Sequence, residues 1–342
     1  MNIAVLLGGT SPERFVSMAS GKGIAQALTS AGHTVSVYDV ALGADAWVDP
    51  ETLQLPTQVA PTHEELQTLS HAAIITAIQS LPGDIDVVFM ALHGAPGEDG
   101  TVQSILELLG YPYTGSGVLA SALAMDKAMS KRVFEHHAIP TPRWFQLPSG
   151  RAGMGELRSN VDYYTAYPVV VKPNDGGSTV GLTIVDDENG LMAAYELASQ
   201  YSKSVLFEEF IEGRELTVAI LGEESLPVVE IRPKSGIYDY TNKYTAGRTE
   251  YFCPAELPRA IEEELRELAR RAHNALGCTG YSRIDFRLDN DGAPYCLEAN
   301  TLPGMTATSL VPKAAAAAGM DYAALCERII SLALEQSPVE TP

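Results

Sequence analysis

The chain has 342 residues, 46% of them hydrophobic and 19% charged, which is the composition of an ordinary globular protein with room for two or three domains and a sizeable core. Its formal net charge of −20 argues against a nucleic-acid partner, because a phosphate backbone is gripped by clustered Lys and Arg. A small anion stays compatible, since a few lysines in a cleft create a local positive field inside an acidic body.

The N-terminus MNIAVLLGG has no basic region and no cleavage site, so its short apolar run reads as a buried strand and not a signal peptide. No stretch has the apolar length needed to span a bilayer, and a cytoplasmic protein without membrane contact is expected. The pattern then predicts a helix over about 17–31, the strand HTVSVYDV, a helix near 63–80, the strand IDVVFMALHG and a helix over about 100–109. Apolar strand runs separated by helices indicate an α/β unit with a parallel sheet covered on both faces. Loops at the carboxyl ends of such strands form the usual ligand crevice; here they are GGTSPERFVS (8–17) and HGAPGEDGT (93–101). Either loop standing alone would be read as a solvated turn.

From about residue 116 the character changes. MDKAMSKRVFEHHAIPTPRW predicts one helix from Ala120 to about His137, ended by Pro140 and Pro142. YPVVVKP, the loop NDGGSTVG, LTIVDD, a helix near 189–202 and SVLFEEFI follow, as a second small unit of strands and helices. The remainder holds the strand RELTVAILG, a polar loop (234–250), a helix over about 257–276, a hairpin, and a closing helix over about 321–335. KAAAAAG (313–319) is read as helix, since alanine is the best helix former. The expected domains are 1–115, 116–207 and 208–342. Cys253, Cys278, Cys296 and Cys326 show no CxxC spacing and are expected to be buried small hydrophobes.

Three segments carry chemistry. KPNDGGSTVG (172–181) sets Lys172 at a strand end before a glycine-rich loop whose backbone N–H groups and hydroxyls can wrap phosphate oxygens. It is neither a Walker A motif nor a dinucleotide-binding loop, and alone it would be a flexible hairpin loop. Lys127 on the preceding helix and Glu208-Glu209 at the next strand end lend it weight, because two lysines neutralise phosphates while FEEFIEGRE offers backbone groups to an adenine. The polar loop KSGIYDYTNKYTAGRTEY (234–251) has the length of a lid or of a surface Ω-loop. The third segment is RIDFRLDNDGAPYCLEANTLPGMT (283–306).

In that hairpin, strand alternation sets Arg283, Asp285 and Arg287 on one face, and Glu298 with Asn300 on a face opposed by Leu297 and Ala299. Asp291-Gly292 predicts a two-residue turn that pairs Asn290 with Ala293, which puts Asp285 opposite Glu298 and Arg283 opposite Asn300. Facing carboxylates repel, so a hard cation such as Mg²⁺ between them is one reading. A solvated face with a salt bridge from Arg283 to Asp285 or Glu298 is the other. Beyond Pro303-Gly304, backbone N–H groups are candidates for holding an oxyanion or a carboxylate, or the segment is a plain loop before a helix.

The segments LLGGTSPER, ALHGAPGEDGTVQ, GSGVLASALAMDK, VVVKPNDGGSTVG, EIRPKSGIYDYTNKY, GYSRIDF and LEANTLPGMTATSLVPKAA, in this order, closely resemble the ATP-grasp enzymes and, within them, the D-alanine–D-alanine ligase family. The resemblance covers nearly the whole chain and implies an N-terminal parallel α/β domain followed by a two-domain α+β ATP-grasp fold. It implies phosphorylation of one D-alanine carboxylate by ATP and attack of a second D-alanine amine on the acylphosphate. By match, Lys127, Lys172 and Lys243 contact phosphates, while Glu208, Glu209, Phe210, Ile211 and Glu215 hold adenine and ribose. Asp285, Glu298 and Asn300 bind two Mg²⁺, for which Mn²⁺ substitutes. Arg283 and the Gly304 amide stabilise the tetrahedral oxyanion, and Glu13 and His93 hold the first D-alanine. Glu13, Ser178 and Tyr244 form a triad, and Ser309 and Leu310 hold the second carboxylate. The family also implies a homodimer and a role in peptidoglycan precursor synthesis. Tyr244 favours D-alanine over D-lactate as acceptor. Phe15, Asp175-Gly176 and Ala307-Thr308 depart from common family patterns, the last bearing on selectivity for the second substrate.

Overall fold

The computed structural model describes residues 1–56, 60–234 and 247–336. Three sheets organise them. The first is built on β1 (Asn2–Leu7), whose Ile3 to Leu7 are buried on both faces, as a central strand requires. It pairs in parallel with β2 (Thr34–Asp39) and β4 (Val87–Met90), and β3 (Trp47–Val48) adds an antiparallel edge. Helix α1 (Arg14–Ser30) starts earlier than the pattern predicts, with Glu13 at its N-cap position. The expected helix near 63–80 is two: α2 (His63–Gln67), opened by a Thr62–Glu65 capping box, and α3 (His71–Gln79), restarted where the Ser70 hydroxyl accepts from the Ala72 amide. Helix α4 (Thr101–Leu109) stops at Gly110, which has φ +76°.

The expected helix from Ala120 to His137 is also two, α5 (Val118–Met125) and α6 (Lys127–His136). Asp126 between them is extended (φ −82°, ψ 99°), and its carboxylate accepts from the Met129 amide at 2.9 Å. A side chain that caps one helix in this way ends the one before it.

The second sheet comprises β5 (Trp144–Pro148), β6 (Val169–Pro173), β7 (Thr183–Val185) and β8 (Ser204–Glu209), in the order β5-β8-β6-β7, all antiparallel. Helices α7 (Met154–Tyr164) and α8 (Leu191–Ala198) cover one face through Leu157, Val161, Leu191 and Tyr195, which pack with Val169, Val171 and a stacked Phe145–Phe207 pair. The other face carries Val170, Lys172, Ile184 and Glu208 into a cleft.

The third sheet runs β12-β11-β9-β13-β14, with β10 on β9. Its strands are β9 (Gly213–Leu221), β10 (Glu224–Ser225), β11 (Val229–Pro233), β12 (Thr249–Phe252), β13 (Tyr281–Asp289) and β14 (Pro294–Asn300). Helix α9 (Arg259–Ala275) buries Leu265, Leu268 and Ala272 against Ile284, Phe286 and Cys296. The last helices, α10 (Leu310–Ala317) and α11 (Tyr322–Gln336), turn away from that core. Their Ala314, Leu325, Ile329 and Ile330 join the core of the first sheet instead. All four cysteines are free.

The hairpin differs from expectation in two places that cancel. Asp289, not Asn290, pairs across the turn with Ala293, which leaves a three-residue loop closed at Gly292 (φ +87°). A bulge between Asp285 and Phe286 in the β13–β14 register then absorbs one extra residue on β14. Asp285 therefore lies opposite Glu298 and Arg283 opposite Asn300, as predicted. Ahead of the bulge the two faces of β14 exchange: Leu297 lines the cleft beside Glu298, and Cys296 joins Ala299 in the core in its place.

Candidate active site

A cleft of about 700 Å³ opens among the first loops, the glycine loop and the hairpin, and a narrower one of about 160 Å³ continues between the second and third sheets. Lys127, Gly176, Gly177, Ser178 and Glu298 line both.

The hairpin face forms the floor. The Asp285 carboxylate receives Arg283 through two hydrogen bonds of 2.8 and 2.7 Å, the Thr217 hydroxyl at 2.6 Å and the Asn300 amide at 3.0 Å. Thr217 faces it from the neighbouring strand β9. Glu298 meets the Lys127 ammonium at 3.0 Å. Burial draws the Lys127 pKa down, but the Glu298 carboxylate, with Glu208 and Asp175 adding to it, makes the net shift upward. The facing carboxylates and the Arg283–Asp285 ion pair thus occur together, because basic side chains already neutralise what a cation would. Among the described residues no three His, Cys, Asp or Glu converge on one point. The oxygen donors of Asp285, Glu298 and Asn300 nonetheless fit a hard divalent ion that takes its remaining ligands from phosphates.

Lys127 is the first residue of α6 and also donates to the Gly176 carbonyl at 2.7 Å, which ties the glycine loop to the hairpin. In that loop Ser178 and Thr179 adopt φ of +50° and +65°, rare values for residues with a Cβ. Ser178 donates to Glu13 at 2.5 Å, and a Cβ on Gly177 would come within 3.0 Å of the same carboxylate. Two members of the expected triad are therefore together. Its third, Tyr244, and the expected phosphate contact Lys243 lie outside the described residues.

In the narrower part, Lys172 at the end of β6 and Glu208 on β8 form an ion pair across the antiparallel ladder. The Glu208 side chain borders this part of the cleft but is buried, and it also meets Lys131 at 2.6 Å. Burial works against its ionisation, but the two lysines hold its pKa below the ordinary carboxylate value. Glu209 turns to Arg143 through hydrogen bonds of 2.9 and 3.0 Å. Arg287 donates to the Ile211 carbonyl at 3.0 Å, reaches Glu215 at 3.6 Å and lies over the Phe210 ring at 5.7 Å.

At the other end, His93 is buried and contacts the Leu302 carbonyl at 2.9 Å through Nδ1 and the Ser20 hydroxyl at 3.1 Å through Nε2. Burial lowers its pKa, so the ring is neutral with the proton on Nδ1. Glu98 accepts from the Gly94 amide at 2.7 Å and the Leu302 amide at 3.2 Å. Burial, with the Glu13 charge adding to it, pushes its pKa up to about 8. Gly304 approaches Ser309 so closely that a Cβ there would sit 3.0 Å from the hydroxyl. That hydroxyl accepts from the Thr306 amide at 3.0 Å, and Leu310 opens α10 beside it. Glu98, Ser20, Lys131 and Leu297 are site residues that sequence reasoning did not single out; only Glu98, inside the glycine-rich GEDG run, carried a signal.

Models of the D-Ala D-Ala ligase N-terminus and C-terminus match residues 2–116 and 133–331. The chain belongs to the D-alanine–D-alanine ligase family. Among its relatives, the D-alanine–D-alanine ligase of Bordetella petrii is 47% identical over 333 residues, 96% of this chain and 91% of that protein. That of Halalkalibacterium halodurans is 44% identical over 341 residues, 98% and 100% of the two chains. Two solved structures of the family share the fold. The Bacillus anthracis ligase complexed with ATP gives a TM-score of 0.76 at 32% identity, covering 98% of each chain. The Coxiella burnetii ligase gives 0.79 at 26% identity, covering 98% of this chain and 94% of that one. The mixed α/β architecture expected of a ligase of this family is therefore the one found.

Proposed function

We propose that this chain is an ATP-dependent ligase that joins two D-alanine molecules to D-alanyl-D-alanine, releases ADP and phosphate, and serves peptidoglycan precursor synthesis in the cytoplasm. The observation that carries it is the pairing of Asp285 with Glu298 and Arg283 with Asn300 on the floor of a cleft whose walls are the Lys172 glycine loop and the Glu13–Ser178 contact. A carboxylate oxygen of the first D-alanine attacks the γ-phosphorus and ADP leaves. The amine of the second attacks the resulting acyl carbon, loses a proton and expels phosphate.

Each part of the cleft suits one task. Lys127 and Lys172 neutralise phosphate charge, and the Glu208 to Ile211 edge with Glu215, Arg287 and Leu297 forms the base and ribose end. Asp285, Glu298 and Asn300 would hold Mg²⁺ or Mn²⁺, which supplies charge neutralisation to the transferring phosphoryl group. Arg283 and the Gly304 amide face the developing oxyanion. Glu13 and neutral His93, with Glu98 beside them, suit the ammonium end of the first D-alanine. Ser309 and Leu310 at the start of α10 suit the carboxylate of the second. By the family resemblance, Lys243 serves the phosphates and Tyr244 joins Glu13 and Ser178. The division at 1–115, 116–207 and 208–342 follows the three sheets except at its second boundary, where β8 runs on to Glu209, and a homodimer is the assembly we expect.

The test is to incubate the purified chain with ATP, Mg²⁺ and D-alanine, alone and with D-lactate or D-serine, and to follow phosphate release and product mass. D-Ala-D-Ala from D-alanine alone is expected, lost with a chelator and on Asp285→Asn, with kcat falling about a hundredfold or more on Arg283→Met. ATP binding without D-alanine-dependent phosphate release would sink the reading.

A further inference from the structure

Among the described residues, the reaction leaves one fully buried lysine without a task. Lys131 lies one turn beyond Lys127 on α6 and is fully buried. Its ammonium meets Glu208 Oε1 at 2.6 Å and donates to the Thr141 hydroxyl at 2.6 Å, which in turn donates to the Cys296 carbonyl at 2.8 Å. Taking an ammonium out of water is so costly that an apolar side chain of the same volume usually serves packing better. A lysine here is therefore explained by its charge. Glu208 offers its other oxygen, Oε2, to Lys172. Two ammoniums around one carboxylate leave a net charge of one positive beside the cleft; with Lys172 and Glu208 alone the charges would cancel.

We propose that Lys131 is a positioning residue of the nucleotide site: held from the core side by Thr141, it takes one oxygen of Glu208 and so leaves Lys172 with uncancelled charge for phosphate. This rests on the cleft being the ATP site. Burial, with the Lys172 charge adding to it, draws the Lys131 pKa below its ordinary value, and the Glu208 carboxylate works against that shift.

The experiment measures ATP affinity by calorimetry, and KM and kcat by phosphate release, for wild type, Lys131→Met, Thr141→Val and the double variant Lys131→Met/Glu208→Gln. Lys131→Met should weaken ATP binding about tenfold or more, raise KM for ATP more than it lowers kcat, and leave KM for D-alanine unchanged. The double variant should regain much of the lost affinity, because removing the carboxylate charge restores the net positive balance; a merely structural role would make it no better than the single variant. Should Lys131→Met fail to fold by circular dichroism, Thr141→Val carries the test, since it keeps every charge but loosens the Lys131 ammonium and should still weaken ATP binding. Wild-type ATP affinity in Lys131→Met, a double variant no better than the single, or, in that fallback, an unaffected Thr141→Val overturns the proposal. A wild type that binds no ATP at all would instead remove the assignment of the cleft.

Discussion

His93 and His273 are both buried, and burial disfavours the charged form of each. His273 lies outside the cleft, on α9 with Nδ1 2.7 Å from the Ser282 hydroxyl, and its pKa is lowered from 6.5 to about 4. A depressed histidine contributes stability that is complete above its unfolded value and lost as pH falls toward its folded one. Between pH 6.5 and 4 the wild type should therefore lose up to about 3 kcal/mol more than a His273→Gln variant, read by urea unfolding at several pH values. Legibility also divides at this scale. Lys127, Lys172, Asp285 and Glu298 could be read because each stands in a motif whose chemistry is local. Lys131 could not, because its meaning depends on Glu208, a partner on a strand of another layer. Leu297 was misread because nothing in the residue types marks the extra residue that turns it into the cleft.

At the scale of elements, the break at Asp126 sets where Lys127 points. The Asp126 carboxylate satisfies an amide of the first turn of α6, and Lys127 projects from that turn to Gly176 and Glu298. Asp126→Ala should cost about 1 kcal/mol of stability and raise KM for ATP, while Asp126→Asn should keep most of both; thermal unfolding and steady-state kinetics would decide. The break was hidden from pattern reading because apolar periodicity runs on through both helices, although Asp before a first-turn lysine is itself a start signal. The hairpin is the opposite case. Its turn is one residue longer than Asp291-Gly292 implies and its return strand carries one extra residue, so the period-2 reading still aligned the two carboxylates.

Across the whole molecule, the first sheet is not closed by its own helices. Leu325, Ile329 and Ile330 of α11 lie in its core, with α11 packed along α1 and β4. Residues 1–116 expressed alone should therefore expose this surface, bind a hydrophobic dye and unfold without a cooperative transition. A sharp thermal transition in that fragment would contradict the shared core. Ties at the cleft add to the same dependence: Glu98 and His93 both bond to Leu302 across the junction. Alternating strand and helix signals made each layer legible in order, whereas the return of the last helix to the first layer leaves no mark in local periodicity.

The cleft cations Lys127 and Lys172, with Lys131 behind them, are recessed within a chain of net charge −20. An approaching nucleotide therefore meets repulsion first and attraction only on entry. Added salt shortens the reach of the first to about 8 Å at physiological ionic strength while it barely touches contacts made inside the cleft. Capture should thus become faster as salt is raised from dilute buffer, the reverse of an electrostatically steered encounter, and stopped-flow association rates across an ionic-strength series would display the inversion.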